Sequence, residues 1–137
     1  MSLITWNKKQ FSVDVDEMNE QHKKWIALIN KLHESLINQD SGISPETAIK
    51  EMINYTKFHF KEEEALLQEV KFPNYDKHKL EHEYFVLKLE KLDQDIEIGA
   101  NVLRTQIMSI LKNWLEDHIC KVDKSYGIFI YKNRINQ

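Results

Sequence analysis

The chain has 137 residues, of which 42% are hydrophobic and 30% charged, and its formal net charge is −3. This length and composition predict a single domain over residues 1–137 with a hydrophobic core that needs no disulfide. The weak negative charge argues against nucleic acid and anionic lipid as partners, and no apolar run is long enough to span a membrane. The first twenty residues contain no apolar signal segment, so we expect a cytoplasmic protein.

Only three glycines and two prolines interrupt the chain, which favours helices over many short strands. Asn19 and Asn74 are candidate N-caps, Ser44-Pro45-Glu46 is a start signal, and Gly99 is a suitable stop. Short connections make neighbouring helices antiparallel. The predicted fold class is all-α, an up-down-up-down four-helix bundle with an arm over 1–18, helices over about 19–38, 44–70, 75–98 and 101–122, and a helical tail over 123–137.

Four histidines, one on each predicted helix, fall at nearly the same level of this bundle. At a rise of about 1.5 Å per residue, each lies roughly 24 Å from the end that holds the first and third connections. These residues are His22, His59, His82 and His118. The sixth histidine, His33, lies roughly 16 Å from that level and is not expected to be a ligand.

A second layer of polar residues lies next to these histidines. Glu63 follows His59 by four residues and His78 precedes His82 by four, so each pair shares a helix face. Asp123 follows His118 by five residues, a step that turns about 140° on a regular helix. Asp123 can therefore join the cluster only if a π-type bulge widens the helix, or if the helix has already ended.

Five imidazoles and two carboxylates would be costly to bury together unless metal ions bind them. A single histidine pair at this spacing usually lies on a solvated face, and within Glu62-Glu63-Glu64 only Glu63 is expected to point inward. Seven ligands exceed the four of a structural zinc site. Two ions that share two carboxylates would use all seven and leave one open position for a small molecule. The ferritin-like Glu-x-x-His and zinc-protease His-Glu-x-x-His patterns are absent.

The ordered pattern His, His-x3-Glu, His-x3-His, His-x4-Asp resembles that of the bacterial hemerythrins, a family of non-haem di-iron, dioxygen-binding four-helix bundles. The matching segments are NEQHKKWIALINKL, HFKEEEALL, FPNYDKHKLEHEYF and WLEDHICKVDKSYGIF, which together extend over most of the chain. Family members often have Gly where Asp14 stands and Asp where Asn19 stands. Cys120, close to the predicted ligands, is not a feature of the family.

The resemblance implies two iron ions joined by an oxo or hydroxo bridge. One ion would bind His78, His82 and His118, and both would share Glu63 and Asp123. The other would bind His22 and His59 and keep the open position. Four side chains that flank these ligands are expected to belong mainly to the hydrophobic core. They are also expected to line the open coordination position: Trp25, Phe60, Leu115 and Ile119.

The function implied by the resemblance is reversible dioxygen binding without turnover, by a monomer that carries, stores, delivers or scavenges dioxygen. A di-iron enzyme acting on peroxide or nitric oxide, or an oxygen sensor, would use the same ligands and stays an alternative. A helical interaction module with structural zinc is a third hypothesis, and the open coordination position argues against it.

Overall fold

The protein, described from a computed structural model over residues 3–38, 40–99, 106 and 108–135, is a bundle of four long helices preceded by an arm. No strand occurs within these ranges, and the all-α prediction is confirmed. The short helix α1 (Lys8–Phe11) lies in the arm. The bundle consists of α2 (Asp16–Ile37), α3 (Pro45–Glu69), α4 (Tyr75–Glu97) and α5, a continuous helix built from the segments Met108–Asn113, Trp114–Asp117, His118–Asp123 and Lys124–Ile135.

The core lies between the long helices and consists mainly of aliphatic side chains at three- and four-residue steps. Each such side chain contributes about 1.5–3 kcal/mol of hydrophobic stabilisation when it is fully buried. Among those with no solvent exposure are Ile29, Ile49, Met52, Leu89, Leu111 and Leu115. Within the described residues, none of the helices combines the length and apolar character that crossing a lipid bilayer requires.

The predicted helix boundaries at Ser44, Asn74 and Gly99 are confirmed, but one of the predicted caps is wrong. The Ser44 hydroxyl accepts a hydrogen bond from the backbone N–H of Thr47 at 3.4 Å, so it caps α3 as predicted. Gly99 follows α4 with a φ of +71°, the left-handed conformation that glycine adopts at helix ends. The Asn74 side chain makes no capping hydrogen bond, so its predicted role is wrong.

Asn19 does not cap the first long helix, which begins earlier, at Asp16. Its side-chain oxygen accepts from the backbone N–H of Val13 at 2.9 Å, and its amide donates to the Ser12 hydroxyl at 3.1 Å. Asn19 therefore ties the arm to α2. Asp14, which follows Val13 in the arm, has a φ of +59°. Glycine adopts this left-handed conformation without steric cost, which explains why glycine suits the position.

Two large hydrophobic residues of α4 lie outside its buried face. The exposed fractions of Tyr84 and Leu87 are 51% and 67%. The buried residues follow alternating steps of four and three along the helix, and both of these residues fall between them. The buried set is His78, His82, Phe85, Leu89, Leu92 and Ile96.

The C-terminal helix continues through Asp123 to Ile135, so the predicted end near residue 122 is wrong. Of the two alternatives for Asp123, the widened helix is confirmed: the segment His118–Asp123 is π-helical. The backbone N–H of Lys124 donates to the carbonyl of Ile119, five residues earlier. This spacing places residues five apart on one face, which a regular α-helix would not do.

Gly127 lies where α5 passes under the arm, and a Cβ atom there would collide with the backbone carbonyl oxygen of Val13. Gly127→Ala is therefore expected to displace the arm and to lower the free energy of unfolding by about 1–3 kcal/mol. Urea unfolding followed by circular dichroism measures this change. The exposed Ser125→Ala is the control, with an expected change of about 0.5 kcal/mol or less. If both variants unfold with the same free energy, the close approach of Gly127 to the Val13 carbonyl is contradicted.

Candidate metal centre

The structure brings all seven predicted ligand side chains together inside the bundle. Every one of the helices α2 to α5 contributes, and at most 2% of the surface of any of these residues is exposed. The cluster consists of His22, His59, Glu63, His78, His82, His118 and Asp123. His33 is also buried but does not belong to the side chains grouped closely enough to hold an ion.

Three imidazoles face one oxygen atom of each carboxylate. Oε1 of Glu63 lies 2.8 Å from Nε2 of His78 and 3.0 Å from Nε2 of His82. Oδ1 of Asp123 lies 3.1 Å from Nε2 of both His78 and His118. Ligand bonds of about 2.1 Å place neighbouring ligand atoms about 3 Å apart, so these atoms fit around one cation. We call this group the three-histidine position.

The second oxygen atom of Glu63 faces the other two imidazoles, and that of Asp123 faces one of them. Nε2 of His22 lies 3.4 Å from Oε2 of Glu63 and 3.2 Å from Oδ2 of Asp123. Nε2 of His59 lies 3.4 Å from the same Glu63 oxygen. We call this group the two-histidine position. Each carboxylate divides its oxygen atoms between the two positions, which is the arrangement of a bridging ligand.

Hydrogen bonding within the protein does not satisfy this cluster. Both ring nitrogens of His22, Nε2 of His59 and both carboxylate oxygens of Asp123 are buried without a hydrogen-bond partner. Nε2 of His82 and Nε2 of His118 face each other at 3.2 Å, although at most one proton can lie between them. Buried polar atoms of this kind cost free energy. Cations at the two positions would remove that cost, so the residues fit a metal centre.

The pKa values in the protein without bound metal show how the cluster balances its charge. Burial lowers the pKa of His22 and His78, but Asp123 and Glu63 outweigh this effect and raise the two values to about 9 and about 10. Burial lowers the pKa of His59 to about 3. For Glu63, burial acts to raise the pKa, yet the neighbouring imidazoles hold it well below its usual range. At neutral pH both the Glu63 carboxylate and the neutral His59 imidazole are in the form that binds metal.

Residues 13–127 match the family model described as the hemerythrin HHE cation binding domain. The chain belongs to the hemerythrin family. It is 31% identical over 128 residues to a bacteriohemerythrin of Methylococcus capsulatus (strain Bath), covering 93% of this chain and 96% of the relative. It is 35% identical over 125 residues to a hemerythrin-like protein of Naegleria gruberi, covering 91% and 92%. A crystal structure of wild-type hemerythrin is similar with a TM-score of 0.80 at 30% identity, covering 92% of this chain and 96% of that chain.

Two residues that contact the cluster of this hemerythrin domain from outside were missed by the sequence analysis. Oε1 of Gln21 lies 2.7 Å from Nδ1 of His59, and Oε2 of Glu64 lies 2.8 Å from Nδ1 of His82. Within its acidic run only Glu63 is buried, as predicted, while Glu64 contacts a ligand from outside the cluster. Gln21 precedes the ligand His22 and Glu64 follows the ligand Glu63 in the sequence, and each contacts a histidine of the next helix. Their position next to a predicted ligand was the one sign in the sequence that they lie near the site.

Aromatic rings surround the imidazoles. The Phe60 ring stacks on His82 with centroids 3.6 Å apart, and the Trp25 ring lies 5.0 Å from that of His59. Two further aromatic residues were missed: Trp114 stacks on His118 at 4.5 Å, and the Tyr126 hydroxyl donates to Oε2 of Glu63 at 3.0 Å. Leu115 and Ile119 are fully buried. That Trp25, Phe60, Leu115 and Ile119 line a ligand pocket stays a prediction.

Proposed function

We propose that this hemerythrin binds dioxygen reversibly at a non-haem di-iron centre held by the seven clustered side chains. The observation that carries the proposal is the unequal division of donors. The three-histidine position groups three imidazoles with both carboxylates, whereas the two-histidine position groups two imidazoles with Glu63 and has an Asp123 oxygen beside His22 only, at 3.2 Å. An ion at the two-histidine position would therefore have fewer protein donors and would keep a place for a small molecule.

Iron is the proposed metal because imidazole and carboxylate together suit it, and because the relatives are bacteriohemerythrins. Two iron ions held by these side chains would supply the two electrons that reversible dioxygen binding needs. Four-coordinate structural zinc does not fit two groups that share both carboxylates. Action as a monomer in the cytoplasm stays a prediction.

Buried aromatic side chains form an apolar surface beside the two-histidine position. Trp25 is fully buried, and its ring lies 5.0 Å from His59 and 5.3 Å from Phe60. Its indole N–H donates to the Thr56 hydroxyl at 2.9 Å, so this polar atom does not attract water. An apolar surface hinders the entry of water and the loss of peroxide. Loss of peroxide would leave the centre irreversibly oxidised.

The same surroundings favour a carrier over an enzyme that reduces peroxide or nitric oxide. Such reduction consumes protons, so it needs a proton donor near the bound molecule. Trp25, Phe60 and Gln21 pack around His59, and none of these side chains releases a proton near neutral pH. The Tyr126 hydroxyl donates to Glu63, and burial raises its pKa well above the usual range, so it also keeps its proton. We therefore propose a binding protein, with peroxide or nitric oxide chemistry and oxygen sensing as the alternatives.

The test is an oxygenation cycle. Iron-loaded protein is reduced without oxygen, exposed to dioxygen and then flushed with argon while its visible spectrum is recorded. A charge-transfer band that appears with dioxygen and disappears on flushing, over repeated cycles, is expected. Zinc-loaded protein, which cannot supply electrons, is the control and should show no band. Rapid conversion to a ferric form with release of peroxide would contradict a carrier and favour the enzyme.

A further inference from the structure

The side chains behind the imidazoles differ in charge between the two metal positions. On the three-histidine position, Oε2 of Glu64 lies 2.8 Å from Nδ1 of His82. On the two-histidine position, the corresponding contact is made by Gln21, whose Oε1 lies 2.7 Å from Nδ1 of His59. One position is thus supported by a carboxylate and the other by a neutral amide at nearly the same distance.

The direction of these hydrogen bonds follows from the orientation of the rings. Nε2 of His59 and Nε2 of His82 face the bridging carboxylate Glu63, so a metal ion would bind these atoms and the ring proton would stay on Nδ1. Each Nδ1–H then donates to the oxygen behind it. A hydrogen bond to a carboxylate is stronger than one to an amide, and it makes the imidazole a better electron donor.

The neighbouring residues hold both contacts in place. The Phe60 ring lies parallel to that of His82, at 3.6 Å and an interplanar angle of 2°, so His82 keeps its Nδ1 directed at Glu64. About 20% of the Glu64 side chain is exposed, and water can solvate its charge. Gln21 is buried, with 8% exposure, and a charge there would lack that solvation. The difference in charge therefore matches the difference in burial.

We propose that Glu64 and Gln21 are positioning residues that make the two metal positions unequal. Glu64 increases electron donation at the three-histidine position, which then binds a divalent ion more tightly and holds the ferric state more firmly. Gln21 keeps donation weaker at the two-histidine position, so an ion there stays ferrous more readily. The redox part rests on the proposed function, because a ferrous ion at the open position is the one that would take up dioxygen. The metal-binding part holds for any divalent ion.

Two isosteric exchanges test this inference by titration with Co²⁺ in the absence of oxygen, followed by its visible absorption. Glu64→Gln is expected to weaken the first binding step about tenfold, and Gln21→Glu to strengthen the second about tenfold, since outer partners change metal affinity by about 10–100-fold. Neither exchange alters the seven proposed ligands. Glu62→Gln, in the same acidic run, is the control and should bind like the wild type.

Wild-type affinities in both exchanged variants would overturn the inference, because the number of ligands alone would then explain the two steps. If Gln21→Glu does not fold, the first binding step of Glu64→Gln decides. Redox titration of the iron-loaded protein is a second readout: Glu64→Gln should raise the midpoint potential of one ion and leave the other unchanged. The Co²⁺ titration contains no dioxygen, so failure of reversible oxygenation and failure of this inference are distinguishable.

Discussion

Glu63→Ala is expected to remove both metal ions from the chain, because this one carboxylate belongs to both positions. Its Oε1 faces His78 and its Oε2 faces His22 and His59. His59→Ala removes a donor from the two-histidine position alone, so it should lose one ion and keep the other. Elemental analysis of metal per chain, after loading and desalting under identical conditions, measures the difference.

The same exchange also destabilises the protein without metal. Glu63 is buried against His22 and His78, and its loss leaves imidazolium charge in the core with one counter-charge fewer. Breaking a buried ion pair in this way costs about 3–5 kcal/mol. Glu63→Gln preserves the side-chain volume and shows whether metal is lost from a folded chain. Glu62→Ala is the control and should keep both ions; a Glu63→Gln variant that also kept both would refute the bridging assignment.

The part of the site that follows helical periodicity could be predicted from the sequence. The four-residue steps His59 to Glu63 and His78 to His82 put each pair on one face, and the structure brings both pairs together. The step from His118 to Asp123 was predictable only as two alternatives. Whether a helix widens into a π-type turn depends on the packing around it, which residue types alone do not specify.

Contacts between different elements were beyond prediction for a similar reason. Asn19 has the residue type of an N-cap, but its side chain hydrogen-bonds to the arm at Val13. Gln21 and Glu64 contact histidines on neighbouring helices, and this depends on how each helix is rotated about its axis. Local propensity predicts that a polar side chain needs a partner, whereas the identity of the partner depends on the tertiary packing.

Metal affinity is expected to fall steeply as the pH is lowered from 8 to 6. In the protein without metal, Asp123 and Glu63 outweigh the effect of burial and raise the pKa of His22 to about 9 and that of His78 to about 10. Each imidazole therefore carries a proton that the ion at its own position must displace. One displaced proton changes the apparent affinity of that position about tenfold per pH unit, so the product of the two binding constants changes about 100-fold per pH unit. Competition with a chromophoric chelator of known pH dependence measures this slope.

The sign of the same shifts predicts how the metal-free protein responds to alkali. A raised histidine pKa stabilises the fold fully below the unfolded value of about 6.5, and this contribution is lost as the pH rises through the folded values of about 9 and about 10. Metal-free protein should thus become easier to unfold with urea between pH 7 and pH 10. The metal-loaded protein should not lose this contribution, because its His22 and His78 already lack the protons.

A metal affinity independent of pH between 6 and 8 would show that His22 and His78 are not protonated in the metal-free cluster, and would contradict the charge balance that the two carboxylates impose on it.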